Sequence, residues 1–135
     1  MAIIVGWIPT KEGRAALRRA AQEAQLRRTK LVVVNSHRGG RDFSAEEAAK
    51  FEDALADVQQ QLDADGIEHE VRQLVRGNDP AEDLVDVAEE SNADFIVIGL
   101  RRRTPVGKLI LGSNAQRILL DASCPVLAVK STPDD

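Results

Sequence analysis

Residues Phe95-Ile96-Val97-Ile98-Gly99 run into the loop Leu100-Arg101-Arg102-Arg103-Thr104-Pro105-Val106-Gly107-Lys108-Leu109-Ile110-Leu111, which closes on Gly112-Ser113-Asn114. The opening run is apolar at every position, the pattern of a parallel strand covered on both faces. Gly99 follows it directly, so the backbone can turn sharply and approach a neighbour closely. After Ser113, residues Ala115, Ile118, Leu119 and Ala122 recur at helical spacing until Cys124-Pro125 stops them. A final apolar run, Val126-Leu127-Ala128-Val129, then reads as another buried strand. Strand, turn, helix and strand in this order indicate an α/β fold.

The same alternation extends back to the N-terminus. Ile3-Ile4-Val5 and Leu31-Val32-Val33-Val34 are two further apolar strands. Between them Leu17, Ala20, Ala21 and Ala24 form a narrow helical stripe of small side chains, suited to close packing on a sheet. Phe51, Leu55, Val58 and Leu62 mark a second helix. From Ile67 to Val75, apolar and charged residues alternate, with Ile67, Val71 and Val75 set among Glu68, Glu70 and Arg72; one face of this strand is wet, which places it at a sheet edge. Asp79-Pro80-Ala81-Glu82 starts a third helix, with Asp79 as N-cap and Pro80 at the first helical position. The order β-α-β-α-β-α-β-α-β and the right-handed crossover rule predict an open five-stranded parallel sheet, order 3-2-1-4-5, with helices on both faces. Residues 1–131 form one domain and 132–135 a polar tail.

Composition narrows the function. The 135 residues are 43% hydrophobic and 30% charged, a globular balance. Asp+Glu outnumber Lys+Arg by 22 to 18, giving a net charge of −4, and aromatics are only 3%. Nucleic acid is not the expected partner of such a chain. No apolar run approaches the roughly 20 residues of a membrane span. Met1-Ala2-Ile3-Ile4-Val5 carries no signal-peptide pattern, and Cys124 is the sole cysteine, so the expected compartment is the cytoplasm. His37 and His69 lack metal-ligand spacing, and no nucleophile elbow, P-loop or zinc-protease motif occurs, so no metal and no catalytic residue is expected.

In an open α/β sheet, ligands bind beyond the carboxyl ends of the strands where the winding reverses, here between the first and fourth strands. The loop after the fourth strand lies at that point. It holds Arg101, Arg102, Arg103 and Lys108 in an otherwise acidic chain, and Gly112-Ser113 opens a helix whose free N–H groups attract an anion. Ser113 also reads as a plain N-cap, and a basic run as a solvated loop. Their coincidence at the switch point favours a phosphate-bearing ligand. Trp7 sits at the end of the first strand, placed either to stack on a base or to pack in the core.

Gly99-x2-Arg102-x9-Gly112-Ser113 resembles the universal stress protein signature, Gly-x2-Gly-x9-Gly-Ser/Thr, with Arg102 in place of the second glycine. Ala16-Leu17 in the first helix and Cys124-Pro125-Val126-Leu127-Ala128-Val129-Lys130 at the end extend the resemblance over nearly the whole chain. The resemblance implies an adenine nucleotide alpha hydrolase-like fold. It also implies ATP or AMP as ligand, with magnesium as an optional companion, at a phosphate site of Gly99, Arg102, Gly112, Ser113 and Asn114. Val34 falls on the adenine side; Gly6 and Trp7 occupy the matching end of the first strand. Arg102 either blocks backbone approach to the phosphates or supplies a charge-assisted contact. Ile8 stands where ATP-binding relatives carry an aspartate. The expected role is a nucleotide-responsive stress regulator acting on a regulatory protein partner, not an enzyme. The alternative is a dimeric interaction module of the same family that binds no nucleotide. The last strand, apolar yet at an edge, predicts a homodimer through Pro125, Val126, Leu127, Ala128 and Val129.

Overall fold

The computed structural model describes residues 1–36, 45–74, 79–100 and 112–131. Nine elements alternate along it: β1 (Ala2–Gly6), α1 (Lys11–Arg27), β2 (Lys30–Ser36), α2 (Ala45–Ala64), β3 (His69–Leu74), α3 (Pro80–Glu90), β4 (Phe95–Leu100), α4 (Ser113–Asp121) and β5 (Val126–Lys130). The strands form one parallel sheet in the order β3-β2-β1-β4-β5, as the sequence predicts. Ile4 of the central strand stands level with Val32 on one side and Ile96 on the other.

Alternation along the strands divides the core in two. Ile4, Val32, Val34, Ile96 and Ile98 face α3 and α4, meeting Leu84, Val87 and Ile118. Ile3, Val5, Leu31, Val33 and Val97 face the other way, toward Ala16, Ala20 and Ala24 of α1 and Leu55 and Leu62 of α2. Burial of both faces is why the central runs carry almost no polar residue. The α1 stripe is rotated slightly from the expected one: Ala16 is fully buried, whereas Leu17 and Ala21 are half-buried on the flank toward α2. Small side chains at the contact let α1 lie close over the centre of the sheet.

The edge strand is shorter than the sequence pattern suggests. Ile67 precedes β3 and belongs to the end of α2, because its N–H bonds to Leu62 O at 3.0 Å while Gly66 N–H bonds to Asp63 O at 3.1 Å. With Gly66 at φ +69°, this is a Schellman ending whose apolar clasp is Ile67 on Leu62. Val75 lies outside the described residues. At the start of α3, Pro80 occupies the first helical position as expected, but Asp79 makes no side-chain capping bond; its carboxylate accepts from Arg117 Nη1 at 2.8 Å instead. A charged donor on a neighbouring helix outcompetes the local amide.

Candidate functional site

The carboxyl ends of β1 and β4 lie side by side, and the chain leaves them toward α1 on one face and α4 on the other. At the end of β1, the Trp7 N–H donates to Val34 O at 2.9 Å, and Asn35 Nδ2 donates to Trp7 O at 3.0 Å. The chain then turns tightly: Thr10 N–H reaches Ile8 O at 2.8 Å, and Thr10 Oγ1 caps α1 by accepting from Gly13 N–H at 3.2 Å. A Cβ on Gly13 would lie 1.9 Å from Ile8 O, so this turn requires glycine. Ile8 itself is 39% exposed at the rim.

Gly99 sits where α1 begins. A Cβ there would stand 2.1 Å from Glu12 O, so the first turn of α1 rests directly on the end of β4. Gly6 faces the opposite layer, with Leu84 over it. Across the crevice, Gly112 is the N-cap of α4, with extended backbone and no side-chain capping bond, and Gln116 N–H returns to Gly112 O at 3.0 Å. Ser113 is therefore the first helical residue, not the cap. Ser113 and Asn114 are exposed, and the amides of this first turn have no intrahelical acceptor. Arg117, one turn on, pairs with Asp79 at 2.8 Å and Glu82 at 3.0 Å, joining the starts of α3 and α4 on one side of the crevice. Its charge offsets two carboxylates that would otherwise oppose an anion there.

Of the site residues expected from sequence, the structure brings Gly6, Trp7, Val34 and Gly99 together at the strand ends and sets Gly112, Ser113 and Asn114 at the start of α4. Arg102, like Arg101, Arg103 and Lys108, lies outside the described residues. The Trp7 ring is 3% exposed and packs in the core on the α1 side, so only its main chain stands at the strand ends. The Val34 side chain is likewise buried, in the layer facing α3. Pro125 and Ala128 are exposed and Val126, Leu127 and Val129 half-buried along β5.

Sequence reading passed over a buried polar group beside these strand ends. Ser36 Oγ donates to Asp83 Oδ2 at 2.5 Å, and Asp83, in the first turn of α3, has no exposure at all. Asn35 is equally buried. Three atoms here lack a partner among the described residues: Asn35 Oδ1, Asp83 Oδ1 and Trp7 Nε1. The available signal was Asn35-Ser36 closing an apolar strand and Asp83 four residues before Val87, on the inward face of α3. Cys124 is half-buried at the foot of β5, and desolvation raises its thiol pKa above the ordinary 9.0, against a smaller lowering by a backbone hydrogen bond. No helix among the described residues is long and apolar enough to cross a membrane.

Residues 1–130 match the family model described as Universal stress protein family. A universal stress protein of Mycolicibacterium smegmatis is 43% identical over 128 residues, covering 95% of this chain and 96% of the relative. The solved universal stress protein of Archaeoglobus fulgidus superposes with a TM-score of 0.83 at 39% identity, over 96% of this chain and 98% of that one. A universal stress protein from the same organism, solved in complex with dAMP, gives a TM-score of 0.78 at 34% identity over the same shares.

Proposed function

Because the chain belongs to the universal stress protein family, we propose that it binds an adenine nucleotide, ATP or AMP, in the crevice between the ends of β1 and β4. The observation that carries this reading is the open first turn of α4. Among the described residues no side chain caps its amides, Ser113 and Asn114 are exposed beside them, and Arg117 neutralises the nearest acids. Such a turn attracts phosphate through both its N–H groups and its dipole. Gly99 and Arg102 complete the phosphate side; Gly6, Val34 and the main chain of Trp7 mark the nucleoside side. The dAMP complex of a relative supports the same ligand class.

The protein then acts in the cytoplasm as a nucleotide-responsive stress regulator, by binding and not by turnover. Occupancy would change the surface that the loop after β4 offers to a regulatory protein. A second reading, a dimeric interaction module without nucleotide, is favoured by Ile8, an exposed apolar side chain at the crevice rim.

Calorimetric titration with ATP, AMP and inorganic phosphate decides between the two. Micromolar binding that weakens on the order of tenfold in Ser113→Ala, one lost charge-assisted hydrogen bond, supports the nucleotide. Absence of heat from folded, ligand-free protein supports the interaction module. Arg102→Gly separates the two roles of that side chain: tighter binding marks it as a block, weaker binding as a phosphate contact.

A further inference from the structure

A groove of about 580 Å³ runs between α1 and α2, on the layer opposite α4. Its size falls within the range of small-molecule sites. Leu17 and Ala21 of α1 face Ala54 and Val58 of α2 along it, all of them half-buried, so its length is apolar. The two ends differ. At the far end, Gln25 Nε2 donates to Asp65 O at 3.2 Å and Gln61 Nε2 to the Asp65 carboxylate at 3.1 Å, so these polar groups satisfy one another.

The near end is unsatisfied among the described residues. Trp7 lines it, and its indole N–H is buried with no acceptor among the described residues. A buried donor without a partner is rare in a native fold. Arg14 and Arg18 border the same end, and Arg14 makes no ion pair among the described residues. Partway along, Asp57 lines the groove and opposes a second negative charge there. At about 1.5 Å of rise per residue, the stretch of α1 from Arg14 to Gln25 is about 16 Å long, close to the reach of an extended chain of about twelve carbons.

We propose that this groove binds a medium-chain fatty carboxylate. The head lies at the Trp7–Arg14 end with its charge facing the guanidinium, and the chain lies over Leu17, Ala21 and Val58. One carboxylate oxygen accepts from the indole N–H once the ring, whose nitrogen is sealed from the groove in this structure, turns toward it. The site is separate from the nucleotide crevice: it uses the Trp7 side chain where the crevice meets only its main chain.

Trp7 is the sole tryptophan, so its fluorescence reports occupancy directly. Titration with dodecanoate below its micellar concentration should give a saturable change, with one ligand per chain by calorimetry. Arg14→Glu should weaken binding at least tenfold, and Val58→Arg should abolish it; both positions border solvent, and circular dichroism verifies folding. Trp7→Phe, followed by calorimetry, should weaken binding severalfold while the ring still packs. Ser113→Ala and saturating ATP should leave dodecanoate binding unchanged, so the two sites fail or succeed independently. No saturable binding, equal binding of dodecyltrimethylammonium, an unaffected Arg14→Glu variant, or displacement by ATP would each overturn the proposal.

Discussion

Gly99 shows how one residue can hold the fold together beside the proposed site. Its missing side chain is what lets Glu12 O come down onto the end of β4, so a methyl group there collides with backbone that cannot rotate away. Gly99→Ala should therefore destabilise the protein by about 2 kcal/mol or more, read as a lower midpoint in urea denaturation. Any loss of ligand in that variant would follow from the displaced α1, which makes Ser113 the cleaner probe of the proposed phosphate site. Cys124 permits a prediction with a definite sign. Its raised pKa leaves less thiolate at a given pH than a free cysteine has, and the thiolate is the nucleophile. Iodoacetamide should modify it slowly at pH 7, faster only as the pH climbs past 9, and at the ordinary rate once the chain is unfolded in urea.

Among the helices, three share one way of ending. α2 closes with Gly66 in the left-handed region, and α3 closes with Asn92 at φ +52°, where Ala93 N–H bonds to Ala88 O and Asn92 N–H to Glu89 O. α1 repeats the arrangement with Arg28, also at φ +52°: Thr29 N–H meets Ala24 O at 3.1 Å and Arg28 N–H meets Gln25 O at 3.3 Å. Glycine and asparagine tolerate this conformation; arginine pays for its Cβ with about 1 kcal/mol. Arg28→Gly should raise stability by about 0.5 kcal/mol, the remainder being lost to the freer unfolded chain, and a thermal melt should shift upward by a few degrees. A lower melting temperature would mean that the exposed Arg28 side chain contributes more than its backbone strain removes.

At the scale of the whole molecule, the outstanding feature is the edge of β5, unpaired among the described residues. Half-buried Val126 lies on the layer of α4, where Leu119 is 42% and Leu120 83% exposed, and half-buried Val129 lies on the layer of α1. A second copy related by a two-fold axis would pair the strand and cover those side chains. Size-exclusion chromatography with light scattering at micromolar concentration should give about twice the 14.7 kDa chain mass. Ala128→Asp, at an exposed position of the strand, should return it to one. A monomeric parent protein would leave the apolar edge to some other partner.

Strand identity, helix order and the 3-2-1-4-5 sheet were legible because each rests on local evidence: unbroken apolar runs, helical spacing, and one alternating strand that suits only an edge. The start of α4 was legible for the same reason, since Gly112-Ser113 opens a helix whatever surrounds it. Other features depend on residues distant in sequence. Asp79 turns from its own helix to Arg117, 38 positions away; Asp83 finds Ser36 across the sheet; and the Trp7 ring drops into the α1-side core, where it borders the groove with α2. Periodicity tells which way a side chain points but not what meets it there. The sequence by itself therefore determined the architecture and the place of the strand ends where the proposed crevice lies. Only the tertiary structure decided which polar groups were paired and which, among the described residues, were buried without a partner, because that pairing is set when separate elements are brought within hydrogen-bonding distance.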